Sequence, residues 1–235
     1  PRVGCVCGKR PFSPLCGEEA MSPPMELVLA TRPWTFTAGA MAVLLTTCVV
    51  KQEHNLSASS LSVGFLLAFV MAVCVQASAN LINSILDFEY GIDNQNTVGD
   101  RTLVDGKITL LEAKRLALAL GLAAALAVAR PLLLSAEFRG IFMVGCALAV
   151  LYTIRPFSLK YRGLGDLTIL VCFGPLLMQA TAIILTGSRQ SAVTAFSVPH
   201  ALLTEAILHA NNMRDLPEDK RNGIVTMPIL LGLGV

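Results

Sequence analysis

The sequence predicts an all-α membrane protein built as a multi-span bundle of transmembrane helices. Hydrophobic residues make up 54% of the chain and charged residues only 14%, whereas about a quarter of the residues in a soluble domain are charged. Several apolar runs reach the roughly 20 residues that a helix needs to cross a bilayer. None of these runs alternates between polar and apolar residues as a membrane barrel strand does. The sequence contains no basic stripe in a polar domain, so its charge pattern does not indicate a nucleic-acid partner.

Six apolar runs are long enough to be full membrane spans, and a seventh begins near the end of the sequence. The predicted spans cover residues 27–50, 60–87, 112–134, 138–154, 164–186 and 192–213. The seventh run starts near Ile224 and is cut off at Val235. The bundle is therefore expected to lack its C-terminal spans. Residues 1–25 are interpreted as a disordered or non-native tail, and residues 26–235 as the transmembrane domain.

Three of the seven cysteines lie together in CVCGKRPFSPLC, residues 5–16. The segment is compatible with a metal site or a disulfide. No second group of ligands completes a zinc spacing, so a disordered tail is the preferred interpretation.

Lysine and arginine residues are unevenly distributed among the predicted loops. The N-terminal flank and the loops after spans two, four and six hold 14 of the 18 basic residues, and the opposite side holds Lys51, Arg130, Arg139 and Arg189. Because positively charged loops remain in the cytosol, the first group of regions is expected to be cytosolic. The glycosylation sequon that starts at Asn55 then falls on the lumenal side.

Two clusters of asparagine and aspartate stand at the cytosolic ends of spans two and six. They lie within NSILDFEYGID (83–93) and HANNMRDLPEDK (209–220). Their members are Asn83, Asp87 and Asp93 in the first cluster, and Asn211, Asn212, Asp215 and Asp219 in the second. Residues four apart share a helix face, although Pro217 is expected to break or kink the helix before Asp219. Carboxylates at the end of a span cost free energy, so they usually have a partner or a function.

The acidic residues of the two clusters predict a divalent cation. Carboxylates that face one another without a cation repel. Donor sets made only of oxygen, without a Cys or His pair, suit Mg²⁺, which proteins commonly hold together with substrate phosphate oxygens. The expected metal ligands are Asn83, Asp87, Asp93, Asp215 and Asp219.

Basic residues on the same side indicate that the site also binds phosphate. Arg101 follows the first cluster, Lys160 lies in SLKYRGLGD, and Arg214 interrupts the second cluster. Together they would neutralise a diphosphate that a metal bridges to the acidic residues. Such a site at the rim of a membrane bundle fits a lipid diphosphate whose apolar tail stays in the bilayer.

Four segments carry a family resemblance. NLINSILDFEYGIDNQNTVGDRTLVDG and EAILHANNMRDLPEDKRNGIVT resemble the two Asp-rich signatures of the UbiA superfamily of membrane prenyltransferases. RPWTF (32–36) and KYRGLGDLTILVCFGPL (160–176) resemble the naphthoquinone-prenylating branch of that superfamily. Ser84 stands where some relatives have a second acidic residue. The resemblance covers roughly residues 26–235, and its paired, ordered motifs make it specific.

The resemblance implies a UbiA-type helical bundle around a central cavity. It also implies Mg²⁺-dependent transfer of a polyprenyl group, geranylgeranyl for this branch, from its diphosphate to a naphthoquinol in menaquinone (vitamin K2) biosynthesis, with a benzoate or a haem-like acceptor as the alternatives. The expected partners are these two substrates and the lipid bilayer, and the sequence identifies no protein partner. The endoplasmic reticulum or Golgi is the implied membrane, with mitochondria left open.

The resemblance assigns roles to individual residues. The catalytic residues would be Asn83, Asp87, Lys160 and Asp215. The diphosphate would be held by Arg101, Lys160, Asn211, Asn212 and Arg214. Ring faces that could steady an allylic cation belong to Phe88, Tyr90, Tyr152 and Tyr161.

Other interpretations compete with this one. The ionisable residues of a transporter lie near the bilayer midplane, whereas here they crowd one rim. A CDP-alcohol phosphotransferase also uses Asp-rich membrane helices, but its motif of Asp-Gly and Ala-Arg in fixed spacing is absent from the sequence. A catalytically inactive, truncated form with a binding or regulatory role is a third alternative. Among single residues, Arg32 beside Trp34 is interpreted as an interfacial anchor, and Glu205 with His209 as a pair within span six.

Overall fold

The computed structural model describes residues 22–54, 56–95 and 100–232, and the elements within these ranges are helical. The α-helices are α1 (Pro24–Ala30), α2 (Phe36–Glu53), α3 (Ala58–Glu89), α4 (Leu110–Ala127), α5 (Ala129–Leu134), α6 (Ala136–Thr153), α7 (Gly165–Val171), α8 (Leu177–Thr186), α9 (Ser191–Arg221) and α10 (Met227–Leu230). Short 3₁₀ turns occupy Pro33–Thr35 and Leu159–Tyr161, and a π-helical turn, Cys172–Leu176, joins α7 to α8. The predicted all-α class is confirmed for these residues. The cysteine segment 5–16 and Asn55 lie outside them.

Five segments of the described chain are long and apolar enough to cross a membrane, where the sequence predicted six full spans. They are Pro33–Glu53, Ala58–Glu89, Ala136–Thr153, Gly165–Thr186 and Ser191–Arg221. The difference is the third predicted span, 112–134, which is divided at Val128 into α4 and α5. In addition, α4 carries Glu112, Lys114 and Arg115 in its first two turns, which lowers its apolar character.

Hydroxyl side chains define where three of the long helices begin. Ser57, Thr109 and Ser135 each accept a hydrogen bond from the backbone N–H three residues further on. These bonds satisfy N–H groups that have no partner within the helix. At Thr109 the cap is reciprocal, because the Glu112 carboxylate accepts from the Thr109 backbone N–H at 2.8 Å. The start of α4 at this loop is therefore encoded locally.

Small and apolar residues bring α2, α8 and α9 together in one buried cluster. Val50, Met178 and Val193 are fully buried in one cluster there. A Cβ added at Gly174, in the π-helical turn, would lie only 2.6 Å from the Cβ of Ala201 on α9. Small residues allow such close contact between membrane helices, where van der Waals packing replaces the hydrophobic effect.

The long helix α9 continues through Pro217 to its last residue, so of the break or kink expected before Asp219 the break is wrong. The backbone N–H of Asn222 closes the last turn by donating to the Glu218 carbonyl at 3.0 Å. A proline removes a single hydrogen bond, and the bonds on either side of it keep the helix intact here. Asp215 and Asp219, four residues apart, therefore stay on one face of a continuous helix.

Two loops at one end of the bundle are joined by a short parallel bridge. The backbone N–H of Gly163 donates to the Val225 carbonyl at 2.7 Å, and the N–H of Val225 donates to the Tyr161 carbonyl at 3.1 Å. Gly163 has a φ of 73°, which glycine adopts without steric cost. The bridge holds the 3₁₀ turn that carries Lys160 against the loop after α9.

Candidate functional site

A polar cavity of about 780 Å³ opens at the end of the bundle where these loops meet. Every residue predicted for the site lines it: Asn83, Asp87, Asp93, Arg101, Lys160, Asn211, Asn212, Arg214, Asp215 and Asp219. A second cavity, of about 510 Å³, is lined by Gln179, Arg189 and mainly apolar side chains, and none of the described residues around it is acidic. The larger cavity is therefore the candidate site.

Asp87, at the end of α3, is the most highly connected carboxylate of the first cluster. Both of its oxygens lie 2.8 Å from Nζ of Lys160, and the hydroxyl of Tyr161 also donates to it. Burial lowers the pKa of Lys160, and the charge of Asp87 opposes this effect. In the absence of substrate, the lysine predicted to bind diphosphate thus serves as the counter-ion of Asp87.

Asp93 is brought beside Asp87 by the turn that ends α3. Gly91 has a φ of 71°, and the backbone N–H groups of Ile92 and Asp93 donate to the Asp87 carbonyl at 2.9 and 3.1 Å. Burial, followed by the negative charge of Asp87, raises the pKa of Asp93 to about 7. Ionisation of Asp93 is therefore costly in this position unless a cation lies beside it.

The second cluster occupies the last turns of α9 and has a different counter-ion. Nε and one terminal nitrogen of Arg214 lie 2.7 and 2.6 Å from the two carboxylate oxygens of Asp215. The Arg214 side chain is 57% exposed. Its other terminal nitrogen is 3.4 Å from the side-chain oxygen of Asn211. Asp215 is thus neutralised by its own neighbour in sequence, at the rim of the cavity, whereas Arg214 does not pair with Asp219.

Arg32 belongs to the cavity, which corrects its interpretation as an interfacial anchor. It has a φ of 57°, and its guanidinium lies 3.2 Å from Asp100 and 3.0 Å from Ser84. Burial would raise the pKa of Asp100, but the charge of Arg32 and hydrogen bonds from Thr102 outweigh it and lower the pKa. Asp100 also accepts from the Ser84 hydroxyl at 3.1 Å. Asp100, in the loop after α3, therefore lies next to Ser84, the position at which some relatives have an acidic residue.

Arg101 lies at the cavity rim beside Asp105. Its terminal nitrogen is 2.8 Å from an Asp105 oxygen, one helical turn further along the chain, and another nitrogen donates to the Gln95 carbonyl at 2.8 Å. About a third of each side chain of the pair is exposed. Arg101 is thus close to the predicted metal ligands but engaged within its own loop.

Two of the four candidate aromatic residues line the cavity. Tyr152 and Tyr161 are part of its wall. Nζ of Lys160 also lies 4.7 Å from the centre of the Tyr161 ring. Tyr90 and Phe88 lie outside the lining, because Tyr90 stacks under the guanidinium of Arg155 at 4.5 Å and Phe88 is 38% exposed. Of the four candidates, Tyr152 and Tyr161 are thus the rings at the cavity, which Trp34 also lines.

The donor set of the cavity fits a hard divalent cation. Among the residues that the structure describes, eight carboxylates but only five basic side chains line it, so an added cation would relieve repulsion. Asp87 and Asp93 come from the end of α3, and Asp215 and Asp219 come from α9. The side-chain oxygen of Asn83 accepts a hydrogen bond from the Thr153 hydroxyl, and its second lone pair remains available to a metal.

The pair predicted within span six, Glu205 and His209, includes a third member from another helix. His209 Nδ1 lies 3.7 Å from a Glu205 oxygen and 3.4 Å from an oxygen of Asp166, at the start of α7. Asn212, which lines the cavity, has its side-chain nitrogen 3.5 Å from the other Asp166 oxygen. Sequence spacing could reveal only the pair on one helix, because Asp166 is some forty residues earlier in the chain.

The comparisons with known proteins agree with this architecture. The sequence model of the UbiA prenyltransferase family matches residues 40–235. UbiA prenyltransferase domain-containing protein 1 of Homo sapiens and its Drosophila melanogaster homologue are each 38% identical to this chain over 210 residues, or 87% of the chain. The chain spans only 60% and 57% of the length of these two relatives.

Two solved structures share the fold. The structure described for digeranylgeranylglyceryl phosphate synthase matches with a TM-score of 0.63 and 20% identity, covering 87% of this chain and 68% of that one. A UbiA homologue from Archaeoglobus fulgidus bound to GPP and Mg²⁺ matches with a TM-score of 0.62 and 17% identity, covering 88% and 69%. These matches establish an all-helical, UbiA-type membrane fold. Since the family's sequence model also covers most of the chain, the protein belongs to the UbiA prenyltransferase family.

Proposed function

We propose that this protein is a Mg²⁺-dependent membrane prenyltransferase that transfers a geranylgeranyl group from its diphosphate to a naphthoquinol in menaquinone biosynthesis. The observation that carries the proposal is the convergence of two aspartate clusters, from α3 and α9, on one cavity that also contains Lys160. The family supports prenyl transfer, and a homologue of the same fold was solved with GPP and Mg²⁺. The naphthoquinol acceptor rests on the branch motifs RPWTF and KYRGLGDLTILVCFGPL.

Four carboxylates are proposed to hold the metal, with Asn83 beside them. They are Asp87 and Asp93 from the first cluster and Asp215 and Asp219 from the second. Bound Mg²⁺ would supply electrostatic stabilisation to the negative charge that develops on the departing diphosphate. Because α3 and α9 are far apart in sequence, the arrangement of the four carboxylates around the metal depends on the packing that brings the ends of these helices to the same cavity.

The basic residues are proposed to orient the diphosphate, together with Asn211 and Asn212. Lys160 already points into the cavity from a buried position, and its ammonium has three donors to share between Asp87 and a phosphate oxygen. Arg214 and Arg101 at the rim would complete the charge balance. Such preorganised donors lower the cost of breaking the bond between the prenyl carbon and oxygen.

The apolar part of the bundle is proposed to hold the prenyl chain and to keep water away from the reacting carbon. An allylic cation that meets water is hydrolysed, so a dry cavity is required for transfer to a ring. Tyr152 and Tyr161, in the cavity wall, are positioned for their ring faces to stabilise the cation. An electron-rich quinol ring would then capture the cation.

We further infer that α4 and α5 together act as a sixth span and that the cavity opens to the cytosol, in an endoplasmic reticulum or Golgi membrane. The Ser78 hydroxyl on α3 donates to the Ala117 carbonyl on α4 at 2.9 Å, while Leu118 and Leu126 on α4 are exposed as lipid-facing residues would be. Labelling of Asn55→Cys and Asn222→Cys, each in a cysteine-free background, tests the orientation. Cytosolic labelling of the residue-55 variant would contradict it.

A prenyl-transfer assay in membranes tests the function directly. The reaction contains geranylgeranyl diphosphate, reduced menadione and Mg²⁺. We expect prenylated naphthoquinone from the wild-type protein, and no product after EDTA treatment or from the Asp87→Asn, Asp215→Asn double variant. Excess Mg²⁺ should restore the EDTA-treated sample. Absence of product from well-folded protein, or transfer only to a benzoate or haem-like acceptor, would refute the naphthoquinol assignment.

A further inference from the structure

Arg32 and Trp34 line the cavity, but the proposed binding of metal and diphosphate uses neither of them. Trp34 is the single tryptophan of the sequence, and it is 62% exposed. An exposed indole is typical of binding interfaces and of the belt where a membrane meets water. The place of Trp34 in the cavity wall favours a ligand. Because the proposed reaction brings an aromatic substrate to the same cavity, that substrate has the matching chemistry.

The turn that carries Trp34 is fixed on the neighbouring helix α3. The side-chain nitrogen of Gln76 donates to the Thr35 carbonyl at 2.7 Å. The side-chain nitrogen of Asn80 donates to the Thr31 carbonyl at 2.9 Å and to the Thr35 hydroxyl at 3.0 Å. Trp34 thus lies on a backbone that is held on both sides of it. A rigid support of this kind is what a side chain needs in order to position a substrate.

Arg32 has hydrogen-bond donors left for a ligand. Nε of its guanidinium lies 3.2 Å from Asp100, and one terminal nitrogen lies 3.0 Å from Ser84. The other terminal nitrogen has no hydrogen-bond partner among the residues that the structure describes. The guanidinium is therefore held in a fixed orientation at the cavity wall and can still donate to a further oxygen.

Arg32 also differs from the other cations of the cavity in the counter-ion that it keeps. In the proposed site, the carboxylates that pair with Lys160 and Arg214 bind the metal, and both cations become free for phosphate. Asp100 is not among the proposed metal ligands, and the backbone N–H of Thr102 holds it at 3.0 Å. Arg32 thus retains a carboxylate beside it. Since that carboxylate repels a diphosphate, Arg32 is better suited to a quinol oxygen.

The acceptor ring must reach the carbon that is bonded to the diphosphate, and the turn lies at that end of the cavity. Arg32 interacts electrostatically with Asp93 and with Lys160, which are assigned to the metal and to the diphosphate. Consecutive Cα atoms are about 3.8 Å apart, so the Cα atoms of Arg32 and Trp34 are separated by about 7 Å or less. A ring stacked on Trp34 is therefore close to the departing group.

We propose that the turn carrying Arg32 and Trp34 is the acceptor subsite of the cavity. The indole of Trp34 supplies the face on which the naphthoquinol stacks. The terminal nitrogen of Arg32 that has no described partner donates a hydrogen bond to one quinol oxygen. The inference rests on the proposed function, because it names the residues that recognise the second substrate of that reaction.

The fluorescence of Trp34 tests this binding without any reaction, because the sequence has no other tryptophan. Menadione, the oxidised and unreactive form of the acceptor, is added to the purified protein in lipid nanodiscs with Mg²⁺ and inorganic diphosphate. We expect quenching that saturates, as stacking of a bound ring on the indole requires. The matched control is the double variant Trp34→Phe, Leu44→Trp. Leu44 is an exposed residue of α2 outside the cavity lining, so its quenching should rise linearly with menadione in the bilayer.

Substitutions in the turn test the subsite during the reaction. Trp34→Ala should raise KM for menadiol about tenfold, and Trp34→Phe should recover most of this loss, because a smaller ring still stacks. Arg32→Lys keeps a positive charge beside Asp100 but loses the planar fork, so it should also raise KM for menadiol. KM for geranylgeranyl diphosphate should stay unchanged in all three variants. Thermal unfolding in detergent verifies that each variant is folded, and if Trp34→Ala is not, the quenching of the wild type decides.

Several outcomes would overturn the proposal. Linear quenching of the wild type would make Trp34 an anchor at the membrane surface, and so would an unchanged KM for menadiol in folded Trp34→Ala. A rise in KM for geranylgeranyl diphosphate alone in Arg32→Lys would assign Arg32 to the diphosphate. The two proposals fail separately. A wild type that transfers a prenyl group to no acceptor refutes the proposed function, while the quenching curve still decides whether an aromatic ligand binds on Trp34.

Discussion

The two acidic clusters of the cavity differ in how their charges are held before a substrate binds. Asp87 is paired with Lys160, 73 residues away in the sequence, and their side chains are only 16% and 11% exposed. Asp215 is paired with the adjacent Arg214, whose side chain is 57% exposed. The first pair is therefore a product of tertiary structure, whereas the second is local.

This difference indicates that the two clusters contribute differently to binding. A buried ion pair with several hydrogen bonds keeps its geometry, because separating it would leave a charge in an apolar environment. An exposed pair contributes little to stability and rearranges easily. We therefore expect the end of α3 to be the fixed part of the proposed site, and the end of α9 to be the part that adjusts on substrate binding.

Replacing the fixed carboxylate should have the largest effect. We expect Asp87→Asn to lower the rate of prenyl transfer by about 10²–10³-fold. It should also lower the free energy of unfolding by about 3 kcal/mol, because Lys160 becomes a buried charge without its partner. Initial rates at high Mg²⁺ and thermal unfolding measure the two effects. Adding Lys160→Met should restore stability but not activity, and an unchanged melting temperature in Asp87→Asn would contradict the contrast between the clusters.

Asp215→Asn should reduce activity by about 10²-fold at limiting Mg²⁺, with partial recovery at higher concentrations of the metal, as expected for a weakened ligand set. Its free energy of unfolding should change by less than about 1 kcal/mol, because the Arg214 pair is exposed. Mg²⁺ titrations and unfolding curves, run beside those of Asp87→Asn, make the comparison. A loss of stability equal to that of Asp87→Asn would show that both clusters are equally fixed.

The raised pKa of Asp93 predicts that Mg²⁺ binding at the first cluster depends on pH. Its pKa in the folded protein is raised to about 7, from an ordinary value near 4. Mg²⁺ binding needs the ionised form, so the half-saturating Mg²⁺ concentration should fall about tenfold between pH 6 and pH 8. The metal-free protein should lose stability as pH rises from about 4 to about 7, because the unfolded chain ionises first. Retention of this pH dependence in Asp93→Asn would contradict the assignment.

Arg101→Gln should have the smallest effect of the series. Arg101 forms an exposed pair with Asp105 within its own loop, and such solvent-screened pairs contribute little. We expect KM for geranylgeranyl diphosphate to rise about threefold, with no change in kcat or in melting temperature. An effect as large as that of Asp215→Asn would place Arg101 directly on the diphosphate.

The helical class and the location of the cavity could be predicted because they follow from local patterns. Membrane helices satisfy their own backbone groups, so a long apolar run is enough to indicate a span. Both aspartate clusters follow even-numbered predicted spans, which requires that they emerge on the same side. The i, i+4 spacing of Asn83 with Asp87 and of Asn211 with Asp215 then indicates which side chains share a face.

The sequence could not show which side chains from different helices and loops would pair with one another. Lys160 was predicted to bind diphosphate, but the packing of its 3₁₀ turn places it on Asp87. Arg32 looked like an interfacial anchor until the loop after α3 placed Asp100 beside it. Pro217 indicated a break because the tendency of proline to end a helix was considered without the backbone hydrogen bonds of the turn that follows it. In each case a contact made at long range or by neighbouring turns outweighed the local signal.

The backbone bridge between Gly163 and Val225 has a consequence for the interpretation of natural sequence variants. The bridge involves no charged side chain and none of the residues assigned to the reaction, yet it fixes the turn that presents Lys160. Because the bridge is made by backbone groups, most side-chain changes at Val225 leave it intact, whereas Val225→Pro removes the N–H that donates to the Tyr161 carbonyl. Such a change would release the turn that presents Lys160 while every residue assigned to the reaction stays unchanged.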